Sequence, residues 1–376
     1  MSVSGRPGRL GYLDWLRGLS VLLMIEAHTF DAWTLPTERA RPAFGVLMLL
    51  GGMAAPLFLF LAGVAASLGA AAQRRRGASL ADASRRVERR GLQVFLYGLL
   101  FRLQSFVLGG FAHPQNLLKV DILNVMGPAI TVTGALWGLS ASRRGQAIAL
   151  TLATLATIGL SPWIRQTPMM AWVPDPLEWY LRPPAGQGTF TMFPWAAFVL
   201  AGGALGVALD GAAQSPSWRQ PRLQAVIAGT GAALVAVGLW SSYRPALFQG
   251  AGFWTTSPTF FAARVGLMLV LVTIAAGWAA RPWRTPARSS PLETMGLGSL
   301  FVYWVHVELV YGLASRPLRH QLTMEQCAIA AIGLAVGMYG LLLGWNASRP
   351  TRSWMRQETL KLFKSDGWMT NPLANR

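Results

Sequence analysis

Apolar stretches recur along the chain, separated by short polar or basic connections. They run approximately 12–33, 45–71, 91–110, 117–140, 145–162, 191–209, 223–241, 259–280, 294–315 and 325–346. Each holds about 18–27 residues, the length a membrane helix needs. The pattern predicts an all-α polytopic membrane protein with about ten transmembrane helices in one bundle. Residues 1–348 form that domain, and 349–376 form a basic tail lying at the inner membrane surface.

The first stretch, YLDWLRGLSVLLMIEAHTFDAW, breaks the apolar pattern with Asp14, Arg17, Glu26, His28 and Asp31. A charge in mid-membrane costs roughly 2.5–3.5 kcal/mol on insertion scales, so such groups are expected to be used. Arg17 and His28 are three helical turns apart and share one face, about 16 Å from each other along the axis. Glu26 lies about 200° round the helix from His28. It belongs to another contact, or the two straddle a cavity.

Composition agrees with the pattern. The chain is 53% hydrophobic and 13% charged, with mean hydropathy +0.38. The formal net charge of +18 would suggest nucleic acid in a soluble protein. Here it follows from Lys and Arg gathered in loops on one side, so no nucleic-acid partner is expected. The 74–90 connection carries Arg74, Arg75, Arg76, Arg85, Arg86, Arg89 and Arg90, and the tail adds more. This bias places both termini in the cytoplasm, with Asp14 and Arg17 inward and His28 outward. The start, MSVSGRPGRL, lacks a short apolar region with a small-residue cleavage site, and the first span is expected to be retained. Cys327 is the only cysteine, which excludes a disulfide framework. Neither HxxxH nor HExxH occurs among the four histidines, so no metal is expected.

Several buried polar groups have catalytic character. His28 is the first candidate for a general base. Asp121 and Asn124 share a face of the fourth span. Asp121 could orient His28 and Asn124 could donate to an oxyanion, or the pair is structural. In the ninth span Ser299, Tyr303 and His306 form a stripe, with Tyr303 and His306 placed to line an acceptor cavity. Glu308 lies off that stripe. Arg102 and Arg264 are intramembrane cations expected to pair with carboxylates or a ligand. The long connection 162–190, with Trp163, Trp172, Asp175, Glu178, Trp179 and Tyr180, is either a sugar-binding lid or an interfacial aromatic belt. The Arg-rich 74–90 connection either grips donor phosphates or anchors topology.

The residues LDWLRGLSVLLMIEAH resemble the opening of transmembrane acyltransferases, with the arginine, ten residues, histidine pattern of the acyltransferase-3 family at Arg17 and His28. A fuller resemblance is to bacterial relatives of the heparan-alpha-glucosaminide N-acetyltransferase catalytic domain. It rests on the first span, APLFLFLAGVAASLG, LLKVDILNVMGPAI, TMFPWAAFVLAGGALG and FVYWVHVELVYG, and extends to about residue 315. The resemblance implies acetyl transfer from cytoplasmic acetyl-CoA to a glucosamine amine across the membrane. One departure stands out. Lysosomal members have asparagine at the position of His28, and their proposed catalytic histidine lies eleven residues on, where this chain has Arg39.

The expectation is therefore an acetyl-CoA-dependent N- or O-acetyltransferase of the bacterial inner membrane, using an acyl-CoA donor and a glycan or amino-sugar acceptor. His28 acts as base, Asp121 or Glu26 orients it, and Arg17, Asn124, Tyr303, His306 and Arg102 hold substrate or donor. The competing readings are a transporter or flippase for a glycan or lipid-linked substrate, and a non-catalytic partner of envelope glycan enzymes.

Overall fold

The computed structural model describes residues 10–111, 117–183, 190–213, 221–244, 257–280 and 290–348. The basic tail, His113, Arg219, Arg281, Arg284 and Arg288 lie outside these residues. The first stretch forms one helix, α1 (Gly11–Trp33). The second is broken into α2 (Pro42–Gly51) and α3 (Ala54–Arg75). The Gly51–Gly52 pair lies at the break, where two residues without side chains weaken helix continuity. α4 (Leu80–Leu108) begins far upstream of the expected 91 because Ser79 caps it, accepting from the Asp82 amide. The Arg-rich connection is thus mostly helix, with Arg85, Arg86, Arg89 and Arg90 on the first turns of α4.

The chain continues with α5 (Ile122–Gly138), α6 (Arg143–Gln166), α7 (Asp175–Leu181), α8 (Met192–Ala213), α9 (Pro221–Ser242) and α10 (Pro258–Ala279). The ninth stretch is split at Gly298 into α11 (Pro291–Leu297) and α12 (Ser299–Tyr311), and α13 (Met324–Ala347) follows. Seven segments among the described residues are long and apolar enough to cross a membrane: α2 with α3, α4, α6, α8, α9, α10 and α13. α5 and α12 are apolar but shorter, and α1 is interrupted by charge. Length and apolarity alone therefore do not fix ten spans. No named strand occurs among the described residues; one isolated parallel bridge joins Thr34 to Leu322.

Close helix contacts rest on glycine. A Cβ at Gly63 of α3 would fall 1.8 Å from the Val199 carbonyl oxygen of α8, and one at Gly202 would fall 1.9 Å from that of Phe60. Any larger residue would force these helices apart, as expected where packing rather than water drives association. Leu57, Leu59, Phe60, Leu123, Leu150 and Met268 fill the centre. On the outside, Ile329, Ile332 and Val336 of α13 are 72%, 66% and 66% exposed. An apolar exterior of this kind is suited to lipid.

Candidate functional site

A cavity of about 1070 Å³ opens among the C-terminal half of α1, the α2–α3 break, the end of α4, the start of α5 and α12. Its walls come from helices far apart in sequence, held together by a clamp at the end of α1. There the Leu322 amide donates to Trp33 O at 2.9 Å, Leu35 donates to Leu322 O at 2.8 Å, and the His320 amide donates to Ala32 O at 3.1 Å. This brings His320, which has φ +56°, against Arg39. Arg39 lies in a short 3-10 turn (Glu38–Ala40). Its guanidinium donates to the backbone oxygen of Asp31 and contacts His320 Nδ1 at 3.2 Å.

His28 lines this cavity. Its Nδ1 lies 3.1 Å from His306 Nε2, and His306 Nδ1 lies 2.6 Å from the Val302 carbonyl oxygen. The Tyr311 ring stands edge-on to His28 with centroids 5.3 Å apart, and the Tyr311 hydroxyl donates to Asp31 at 2.9 Å. His28 thus presents one ring edge to a fixed partner and leaves Nε2 for the cavity.

The other expected site residues divide into two groups. Tyr303, Arg102 and Asp121 line the cavity with His28. Arg17, Glu26, Asn124 and His306 do not. Arg17 contacts Asp14 at 3.5 Å, near where α1 is sealed by α11: a Cβ at Gly18 would fall 1.9 Å from Leu292 O, and one at Gly296 would fall 1.9 Å from Asp14 O. Arg17 thus lies towards the opposite end of α1 from His28 and outside the cavity. Glu26 turns into a separate, largely apolar crevice of about 610 Å³ between α1, α2 and α13. Both of its carboxylate oxygens are buried without a hydrogen-bond partner.

The hydrogen-bond partner of the His28 ring is His306, not Asp121 or Glu26. One Asp121 oxygen caps α5, accepting from Leu123 at 2.9 Å and Asn124 at 3.1 Å. The other lies 3.2 Å from Arg102 Nε. That contact is an ion pair rather than an aligned hydrogen bond, since both atoms lack a hydrogen-bonded partner. Asn124 completes the capping box by accepting from the Asp121 amide, and its side chain lies near Tyr180 of α7. Asn124 does not line the cavity. Burial and the nearby Asp121 carboxylate push the Tyr180 phenol above its ordinary range, so it stays protonated. Arg264 stacks on the Phe260 ring at 4.1 Å rather than on a carboxylate.

The α12 stripe is rotated from the one expected. Tyr303, Val307 and Tyr311 face the cavity with Glu308, whereas His306 is wholly buried behind His28. Sequence reasoning passed over Glu308, Tyr311 and Lys119 as site residues. The i, i+4, i+8 spacing of 303, 307 and 311 was the available signal. The lining is cationic overall: Arg39, Arg102, Lys119, Arg316 and Arg319 outnumber Asp31, Asp121 and Glu308. Among the described residues no three His, Cys, Asp or Glu side chains cluster as a metal site.

The family model for the heparan-alpha-glucosaminide N-acetyltransferase catalytic domain matches residues 9–240, more than half of the chain. The chain belongs to this family. It is accordingly an acetyltransferase with a membrane-protein architecture. The match lends no support to the transporter reading. No curated protein shows a match to the chain. The region matched by the heparan-alpha-glucosaminide N-acetyltransferase model holds His28, Arg39, Arg102 and Asp121. The opposite cavity wall, from Tyr303 to His320, lies beyond it.

Proposed function

We propose that this chain moves an acetyl group from acetyl-CoA to a sugar amine or hydroxyl held in the cavity at the C-terminal end of α1. The observation carrying this reading is His28, a cavity-lining imidazole backed by a second, buried imidazole at 3.1 Å. His28 Nε2 takes the proton as the acceptor nitrogen or oxygen attacks the thioester carbon. The new C–N or C–O bond forms, the C–S bond breaks, and the proton passes from His28 to the departing thiolate. The basic lining favours an acceptor or donor that carries negative charge. By the distribution of basic residues this end of the bundle is extracytoplasmic, in a bacterial inner membrane with both termini cytoplasmic.

The test uses purified protein in proteoliposomes with radiolabelled acetyl-CoA and an amino-sugar acceptor. Wild type is expected to label the acceptor, and His28→Ala to lose that activity by about 10²-fold or more. Labelling by His28→Ala at the wild-type rate would falsify the mechanism. Wild-type protein that moves unmodified acceptor across the bilayer without donor would instead revive transport.

A further inference from the structure

We propose that His306 is a positioning residue that fixes which nitrogen of His28 carries the proton, so that Nε2 faces the cavity as a lone pair. The inference rests on the reading of His28 as the base. The argument starts from Val302. A carbonyl oxygen only accepts, and it lies 2.6 Å from His306 Nδ1, so that nitrogen carries hydrogen. In the neutral ring the other nitrogen, Nε2, then holds a lone pair. It faces His28 Nδ1 at 3.1 Å, and only a donor satisfies it. His28 Nδ1 therefore carries hydrogen, and its Nε2 does not. The reverse arrangement would require a doubly protonated His306 at 0% exposure. Among the described residues no carboxylate is paired with either ring: Asp31 of α1 accepts from the Tyr311 hydroxyl, and Glu26 has no hydrogen-bond partner. Burying such a cation unpaired is costly.

The device does the work that a carboxylate does in serine hydrolases, where the partner holds the imidazole in the productive tautomer. Here a second imidazole, itself fixed by its own helix four residues back, takes that place. When His28 accepts a proton from the acceptor, its Nδ1–H remains bonded to His306. When it returns that proton to the thiolate, the starting tautomer is restored. His306 touches neither substrate nor the reacting atoms.

Nitrogen-15 spectra of histidine-labelled protein in lipid test this directly, with His28 signals assigned by their loss in His28→Asn. The expected result is a neutral His28 protonated at Nδ1 and bare at Nε2. His28 protonated at Nε2 would overturn the proposal. Kinetics give a second readout. His306→Leu, which keeps volume without an acceptor, is expected to lower kcat by about 10²-fold with KM for both substrates nearly unchanged. His306→Gln, whose amide oxygen can accept from His28, is expected to recover most of that loss. Wild-type kcat in His306→Leu would refute the inference. If wild type itself transfers no acetyl group, the functional reading fails, while the nitrogen spectra still decide the tautomer.

Discussion

Asp121 offers the sharpest separation of structure from chemistry. Its side chain is 4% exposed and performs two tasks, capping α5 with one oxygen and facing Arg102 with the other. Asp121→Ala removes both; Asp121→Asn keeps an oxygen for the cap and removes only the charge. Loss of a cap costs about 1 kcal/mol. Breaking a fully buried ion pair costs about 3–5 kcal/mol. The Arg102 side chain retains 18% exposure and borders the cavity, so water recovers part of that loss, leaving about 2 kcal/mol. Asp121→Asn is therefore expected to destabilise by about 2 kcal/mol and Asp121→Ala by about 3. Adding Arg102→Met to Asp121→Asn should return most of the difference, because the stranded cation is gone. Reversible denaturation in mixed micelles measures all four proteins. Equal loss in Asp121→Asn and Asp121→Ala would refute the cap, and no recovery in the double variant would refute the ion pair. In the acetyl-transfer assay Asp121→Asn is expected to keep kcat within about tenfold, since the His28 ring takes its bond from His306 and not from Asp121.

Three further outcomes follow from the same geometry. Glu26→Leu removes a carboxylate with two unsatisfied buried oxygens and should raise stability by about 1–2 kcal/mol without slowing acetyl transfer; a large loss of kcat would return Glu26 to the site. Gly296→Val places side-chain atoms where a Cβ alone would lie 1.9 Å from Asp14 O. It should cost about 1–3 kcal/mol, read as a lower melting temperature in detergent, and an unchanged melt would contradict the seam. Arg39→Ala removes a guanidinium from the cavity wall, and the acceptor KM should rise about tenfold, the value of one charge-assisted hydrogen bond. KM for acetyl-CoA should stay within about twofold, and an unchanged acceptor KM would remove Arg39 from the acceptor side.

Much of the fold was legible because lipid demands long apolar segments, and each of the ten stretches contains at least one helix. What the apolar pattern hides is interruption inside a stretch. The Gly51–Gly52 break and the Gly298 break do not alter hydropathy, so 45–71 and 294–315 read as continuous. Helix extension into a charged segment was also hidden: the arginines before 91 look like a loop, while the Ser79 cap starts α4 there. The 162–190 connection likewise holds a short helix, α7, whose Tyr180 reaches Asn124. At the site, residue type was the visible part. His28, Tyr303, Arg102 and Asp121 stand out in the sequence as polar groups within apolar stretches, and all four line one cavity. Facing was not visible. A rotation of one residue turns His306 from the cavity to the back of His28. No local signal could have brought His320 to Arg39, because the two meet through chain-distant contacts such as the clamp at Thr34 and Leu322.

That clamp also sets an order of events. Helices α1 to α9 emerge from the ribosome and can insert while the cavity still lacks its second wall. His28 then has no imidazole partner, and Arg39 has no His320. Only when residues 320–322 have been made can the end of α1 be gripped and the chamber enclosed. Under the proposed mechanism, acetyl transfer would therefore await this last wall. A nascent chain stalled after α9 would carry the region matched by the family model but only one wall of the cavity.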